Sequence, residues 1–225
     1  MKGQAQAVTA VLITSVIVGA IATSYTWGVP LLEKQQSQAE LERTQQNVLN
    51  LYDRIIEVSE SGEGTTARVD VTDGISTSEL TFRVNEKQNY IDIVKRDSSQ
   101  NPPYPFDTWT LIRGNTMQNL STGSGAYARS GDDLPGVVIV RPIGGPDRST
   151  ITYRVEFRNI LSENPSGTQL SRINLTAEGQ TRSTGETTLF ISNQGTNWER
   201  GNEGVTLPNG EIVPRQNTQI AVGFR

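Results

Sequence analysis

From Gly3 to Leu32 the chain runs for thirty residues without a charge, bounded by Lys2 on one side and by Glu33 and Lys34 on the other. No other feature limits the possible folds so strongly. A helix on the surface of a soluble domain carries charged residues on its outer side, and this run has none. About 20 predominantly apolar residues suffice to cross a bilayer as a helix, and the stretch from Ala7 to Leu32 is long enough. It exceeds the roughly 7–15 apolar residues of a secretory signal, and Tyr25, Trp27 and Pro30 stand where a small-x-small cleavage site would have to be. Lys2 before the run and a charged segment after it favour an orientation with the N-terminus inside. Tyr25 and Trp27 near the far end suit the headgroup region. Gly28 and Pro30 predict a helix kink, because proline lacks the helical N–H and crowds the preceding turn.

Small residues are patterned within this run. Ser15, Gly19 and Thr23 fall four apart, and Ala20 and Ser24 form a second pair beside them. Small residues at this spacing let helix backbones approach closely. A lone anchor in lipid gains nothing from that, whereas a helix packed on copies of itself does.

The chain has no cysteine and no histidine. That excludes disulfide scaffolds, thiolate-ligated clusters, and Ser–His–Asp or Cys–His nucleophile systems. The net charge of −4 places six acids against three bases in residues 33–60 and no basic run anywhere, so nucleic acid is not an expected partner. No catalytic residue, metal ligand set or cofactor motif stands out, and the expectation is a protein that is not an enzyme.

Residues 33–60 continue as helix, rich in Glu, Gln, Leu, Arg and Lys with no Gly or Pro inside. Leu41, Val48, Tyr52 and Ile55 form one apolar stripe, widened by Leu51 and Ile56. This stripe is expected to pack on the domain that follows rather than form a free coiled coil. SGEG at 61–64 stops the helix. Beyond it the period becomes two, as in ITYRVEF, where Ile151, Tyr153, Val155 and Phe157 alternate with Thr152, Arg154 and Glu156. Further strands are expected at 80–84, 91–93, 108–113, 137–141, 172–177, 187–192 and 219–225, separated by Gly, Asn, Pro and Asp turns. The fold class is therefore α+β: a long N-terminal α-helix, apolar then amphipathic, followed over 61–225 by an antiparallel, Ig-like β-sandwich of about seven to nine strands. The last strand carries no apolar tail, so no second anchor is expected.

Asn119-Leu120-Ser121 and Asn174-Leu175-Thr176 match the N-glycosylation acceptor pattern. Asn119 lies in a loop-like run; Asn174 falls within an expected strand, where modification requires an outward side chain. Asp132 and Asp133 supply clustered oxygens of the kind calcium takes, although a solvated turn is the simpler reading. Trp109 and Trp198 read as core or rim aromatics rather than carbohydrate platforms.

At Lys2-Gly3-Gln4 the sequence resembles the class III signal of archaeal type IV pilin-like proteins. In that family a membrane prepilin peptidase cuts on the cytoplasmic side, after a small residue preceded by a base, and leaves the apolar helix on the mature chain. The resemblance implies a leader of residues 1–3, a new N-terminus at Gln4, and a helix over 4–32 serving first as membrane anchor and then as filament core. It covers about the first 34 residues. Val8 occupies the fifth mature position, where bacterial relatives place glutamate, which favours the archaeal class. The implied function is a structural subunit of an extracellular helical filament of identical copies, dependent on assembly machinery. Two alternatives stay open: a membrane-anchored envelope protein similar to the β-domain proteins of the archaellum stator, and a minor or tip pilin acting in adhesion. An anchor can keep Met1, whereas a pilin begins at Gln4; a tip protein is scarce, whereas a major subunit is abundant. The opening run does not closely resemble the archaellin N-terminus, so motility is the least supported role.

Overall fold

A computed structural model describes residues 2–73, 80–98, 102–115, 128–131, 133–145, 149–165, 167–201 and 204–224. The chain divides into two compact units, Met1–Ala39 and Glu40–Arg225. One helix, α1 (Lys2–Glu60), contributes to both. The helix continues across Gly28 and Pro30, where the sequence leads one to expect a kink. Pro30 has no N–H to offer the carbonyl of Thr26.

In the second unit the strands are β1 (Thr66–Asp70), β2 (Leu80–Asn85), β3 (Tyr90–Ser98), β4 (Thr110–Arg113), β5 (Ala128–Arg129), β6 (Gly136–Gly144) and β7 (Ser149–Phe157). They continue as β8 (Ile160–Asn164), β9 (Gly167–Glu178), β10 (Arg182–Thr184), β11 (Thr188–Glu199), β12 (Val205–Thr206), β13 (Ile212–Val213) and β14 (Arg215–Phe224). Sheet one has the order β1-β11-β14-β9-β8-β5, sheet two the order β10-β2-β3-β7-β6-β4, and β12 pairs with β13. Pairing is mostly antiparallel. The expected antiparallel sandwich is present, with two parallel pairs within it: β14 runs parallel to β9 and β5 parallel to β8. The C-terminal strand fills the slot between β11 and β9, and being antiparallel to β11 it runs along β9 in the same sense. Side-chain alternation shows which face a residue takes and carries no information on strand direction.

The inner faces of both sheets enter one core, which includes Phe82, Ile93, Tyr153 and Phe157 from sheet two and Leu175, Leu189, Ile191 and Val222 from sheet one. The rings of Phe82 and Phe224, one from each sheet, are 6.5 Å apart. The amphipathic stripe of α1 enters the same core: Val48, Leu51, Tyr52, Ile55 and Val58 are all buried. Each such side chain contributes about 1.5–3 kcal/mol by leaving water. Tyr52 stacks on Phe157 with ring centroids 6.1 Å apart and donates to the Gly136 carbonyl at 3.2 Å. Gly136 is required there, because a Cβ would come within 2.8 Å of the Phe157 ring. Polar contacts fix the part of the helix from Glu40 onward: Lys95 Nζ meets Glu40 Oε2 at 2.6 Å, Arg113 meets Asp53 at 2.9 Å, and Tyr104 donates to Gln45. At the helix end Asn193 Nδ2 donates to the Val58 carbonyl at 3.0 Å, satisfying an acceptor that the helix itself leaves without a donor. Gly62 at φ 92° then turns the chain away, as the SGEG stretch predicts.

Two buried polar residues tie distant segments together. Asn89, fully buried at φ 61° in the β2–β3 turn, donates through Nδ2 to the carbonyls of Phe157 (3.1 Å) and Ile173 (2.7 Å). Its Oδ1 accepts from the Leu175 N–H at 2.8 Å, so one side chain links the two sheets. Arg158 lies buried with Nε donating to the Leu134 carbonyl at 2.9 Å and a terminal nitrogen 3.3 Å from Asp133. Asp133 is thereby a partner of a buried cation, which corrects the expectation of a solvated turn; Asp132 lies outside the described residues.

Candidate functional site

The first unit carries the feature that sets this chain apart. Val11, Leu12, Ile13, Val16, Ile17, Val18, Ile21, Leu31 and Leu32 are all more than half exposed, and Trp27 is 79 % exposed. These positions cover every side of the helix. A helix apolar all round belongs inside another apolar medium, a membrane or a packed assembly. By length and composition this helix is apolar enough to cross a membrane. Its hydroxyl residues are reconciled with such a medium locally: Ser15 Oγ donates to the Val11 carbonyl at 2.8 Å, Thr23 Oγ1 to Gly19 at 2.8 Å, and Thr26 Oγ1 to Ala22 at 2.7 Å. Back-bonding of this kind removes the unpaired donor that would otherwise oppose burial. Around Gly19 a Cβ would meet nothing within 4 Å. The small residues Ser15, Gly19, Ala20, Thr23 and Ser24 are all exposed. Lys2, Gly3 and Gln4 form the first turn of α1.

The remaining sequence candidates lie in the β domain. Asn174 shares the outer face of β9 with Arg172 and Thr176, opposite the core residues Ile173 and Leu175, so its side chain points outward. It is half-buried there and donates to Gln219 Oε1 at 2.8 Å. Asn119 lies outside the described residues. Trp109 is half-buried, with the guanidinium of Arg141 at 4.6 Å and that of Arg154 at 4.9 Å from its ring. Trp198 is 40 % exposed beside Arg200. Among the described residues no group of three or more acidic side chains is placed to hold a metal ion.

The outer face of sheet two holds a cluster that sequence reasoning missed. Arg154 makes a forked pair with Asp92, Nε to Oδ1 at 2.7 Å and a terminal nitrogen to Oδ2 at 3.0 Å, and lies 3.6 Å from the Tyr90 ring centre. Glu156, nearly buried in the next row, has its carboxyl pushed up to about 7 by burial, with Arg154 opposing and Asp92 adding to the rise. Alternation in ITYRVEF assigns Arg154 and Glu156 to the outer face but does not reveal that this face is shielded from water. The folded chain therefore holds the Glu156 proton more tightly than the unfolded one. Its effect on stability is absent below about pH 4.5, grows as pH rises to about 7, and above that costs up to about 3 kcal/mol. Glu156→Gln is expected to raise the melting temperature at pH 8 and to leave it nearly unchanged at pH 4. Equal shifts at both pH values would show that ionisation of Glu156 is not what costs stability.

A groove of about 820 Å³ lies over β1, β11 and β14, lined by Glu63, Arg68, Glu178, Phe190, Ser192 and Gly223 among others. Its carboxylates and single guanidinium are not joined to the Asp92–Arg154–Glu156 cluster, which lies on the other sheet. Comparison with protein-family models, curated proteins and solved structures finds no match to this chain.

Proposed function

We propose that the chain is a subunit of an archaeal type IV pilus-like filament, made as a membrane-inserted precursor and assembled through its N-terminal helix. The observation that carries this reading is a helix exposed and apolar on every side, entered directly from Lys2-Gly3-Gln4. Residues 1–3 would be removed, residues from Gln4 onward would form the filament core with identical neighbours, and the β domain would face water. Lipid tails are already apolar, so moving the helix from bilayer to filament brings little hydrophobic gain. Close packing through Ser15, Gly19 and Thr23 must hold the core, and assembly machinery would supply the work of extraction. One non-closing interface repeated head to tail gives a helical polymer.

Sheared surface material examined by electron microscopy and N-terminal mass spectrometry tests this. Thin filaments containing a chain that begins at Gln4 are expected. A chain kept in the membrane fraction with Met1 or Lys2 intact, and no filaments, overturns the reading in favour of a single-pass envelope protein. Gly3→Val is expected to leave nearly all of the chain as precursor, because a β-branched side chain replaces the small residue before the cut; normal processing of that variant would argue against Gly3 as the cleavage position.

A further inference from the structure

Four residues stand in one row across the outer face of sheet two. Arg182 of β10 lies directly opposite Arg83 of β2, Arg83 opposite Asp92 of β3, and Asp92 opposite Arg154 of β7. The row therefore holds three guanidiniums and one carboxylate. Arg154 engages both oxygens of that carboxylate, at 2.7 and 3.0 Å, which leaves Arg83 without it. Arg83 and Arg182 are exposed, and among the described residues their side chains make no hydrogen bond and no ion pair. Like charges directly opposite each other on neighbouring strands destabilise a sheet, and the fold places no counter-charge on this pair.

Strand pairing brings the two side chains as close as a sheet allows. The Val84 N–H donates to the Thr181 carbonyl at 2.9 Å and the Gly185 N–H to the Leu80 carbonyl at 3.1 Å. Hydrogen-bonded positions alternate along an antiparallel pair, so Arg182 meets Arg83 at a position without ladder bonds, where side-chain roots are about 4.5–5.5 Å apart. β10 is the edge strand of its sheet, and the same alternation turns the N–H groups of Arg182 and Thr184 to the free edge. A hollow of about 450 Å³ lined by Gln180, Arg182, Ser183 and Thr184 adjoins the pair, adding amide and hydroxyl groups. A carboxylate has two oxygens and one charge, and Asp92 shows that a single guanidinium fork occupies both. Two forks side by side call for an acceptor with a third oxygen and a second charge. The phosphate of a monoester has both near neutral pH, with a charge of about −1.5 to −2 and three acceptor oxygens. We propose that Arg83 and Arg182 form a binding subsite for the doubly charged phosphate of a phosphate monoester.

The test uses the full chain in a neutral, phosphate-free detergent at fixed ionic strength, titrated calorimetrically at pH 8 with methyl phosphate, dimethyl phosphate and acetate. Methyl phosphate is expected to bind at least about tenfold tighter than either singly charged anion, and Arg83→Gln or Arg182→Gln each to remove about tenfold of that affinity. Arg182→Lys, which keeps the charge and loses the fork, is expected to fall between. The preference is expected to fade as the pH drops through about 6, where the monoester takes up a proton and keeps one charge. Melting curves establish that the variants are folded; if a glutamine variant is not, the monoester-to-diester ratio in the unmodified chain decides alone. No binding of methyl phosphate, equal affinity for methyl and dimethyl phosphate, or folded glutamine variants within about twofold of the original each overturns the proposal. Repeating the titration in phosphatidylcholine vesicles with and without phosphatidic acid separates the sources of the phosphate. Weaker apparent binding of methyl phosphate beside phosphatidic acid assigns the subsite to a lipid headgroup, and unchanged binding assigns it to a soluble or polymer-borne monoester. These outcomes are independent of whether the chain polymerises through its N-terminal helix.

Discussion

Asn89→Ala is expected to lower the unfolding free energy of the β domain by about 4 kcal/mol. Three buried hydrogen bonds end on this side chain, at 3.1, 2.7 and 2.8 Å. Removing it leaves the Ile173 carbonyl and the Leu175 N–H without those partners at a site closed to water, and each such group costs about 1–3 kcal/mol. The backbone adds a smaller term, because φ 61° is a conformation that asparagine tolerates and alanine adopts at a cost of about 1 kcal/mol. Asn89→Asp is expected to be at least as damaging near neutral pH: it keeps the acceptor for Leu175 but turns an oxygen toward two carbonyls. Urea unfolding of the full chain in detergent, followed by tryptophan fluorescence, measures both. A loss below about 1 kcal/mol for Asn89→Ala would mean that water or backbone movement replaces the lost partners and that the inter-sheet link is not needed.

The division of the chain is legible from residues alone because the physical signals are strong there. Thirty uncharged residues, then a 3.6-residue stripe at Leu41, Val48, Tyr52 and Ile55, then period-two alternation follow one another with little overlap. The longer strands lie where alternation is clearest, as in Leu80-Thr81-Phe82-Arg83-Val84 and Ile151–Phe157. The extra strands are short or lack alternation: β5, β12 and β13 have two residues each, and β10 has three. Such segments are defined by the neighbours they pair with, which raises the count beyond seven to nine. Charged residues at inward positions are equally hidden. Lys95 follows Ile91 and Ile93 on the core side of β3 and is accommodated only because Glu40 of α1 meets it. Asn89 looks like an ordinary turn residue in NEKQNY; its role depends on β9, more than eighty residues later.

Gly19→Leu is expected to leave leader processing and monomer folding unchanged while reducing filament yield by about tenfold or more, and it separates the two readings of the N-terminal helix. In the single chain a Cβ at Gly19 meets nothing within 4 Å, so the larger side chain has room. Leucine is also the better helix former, by about 0.8–1 kcal/mol. For an anchor that only spans lipid the substitution is neutral or favourable, since it adds apolar surface to a helix already exposed at Val16, Ile17 and Ile21. For a helix that packs against copies of itself, four added carbons at the point of closest approach push the backbones apart and disrupt the contacts of Ser15 and Thr23 above and below. A loss of about 1.4 kcal/mol at each contact is already tenfold in its equilibrium constant, and the contact recurs at every subunit. Gly19→Ala, which preserves the small spacing, is expected to assemble with only a modest loss. Quantifying sheared filaments against total mature chain for the three forms decides the matter: a graded fall from glycine to alanine to leucine supports packing through this face, and equal filament yields show that the core is held by some other surface.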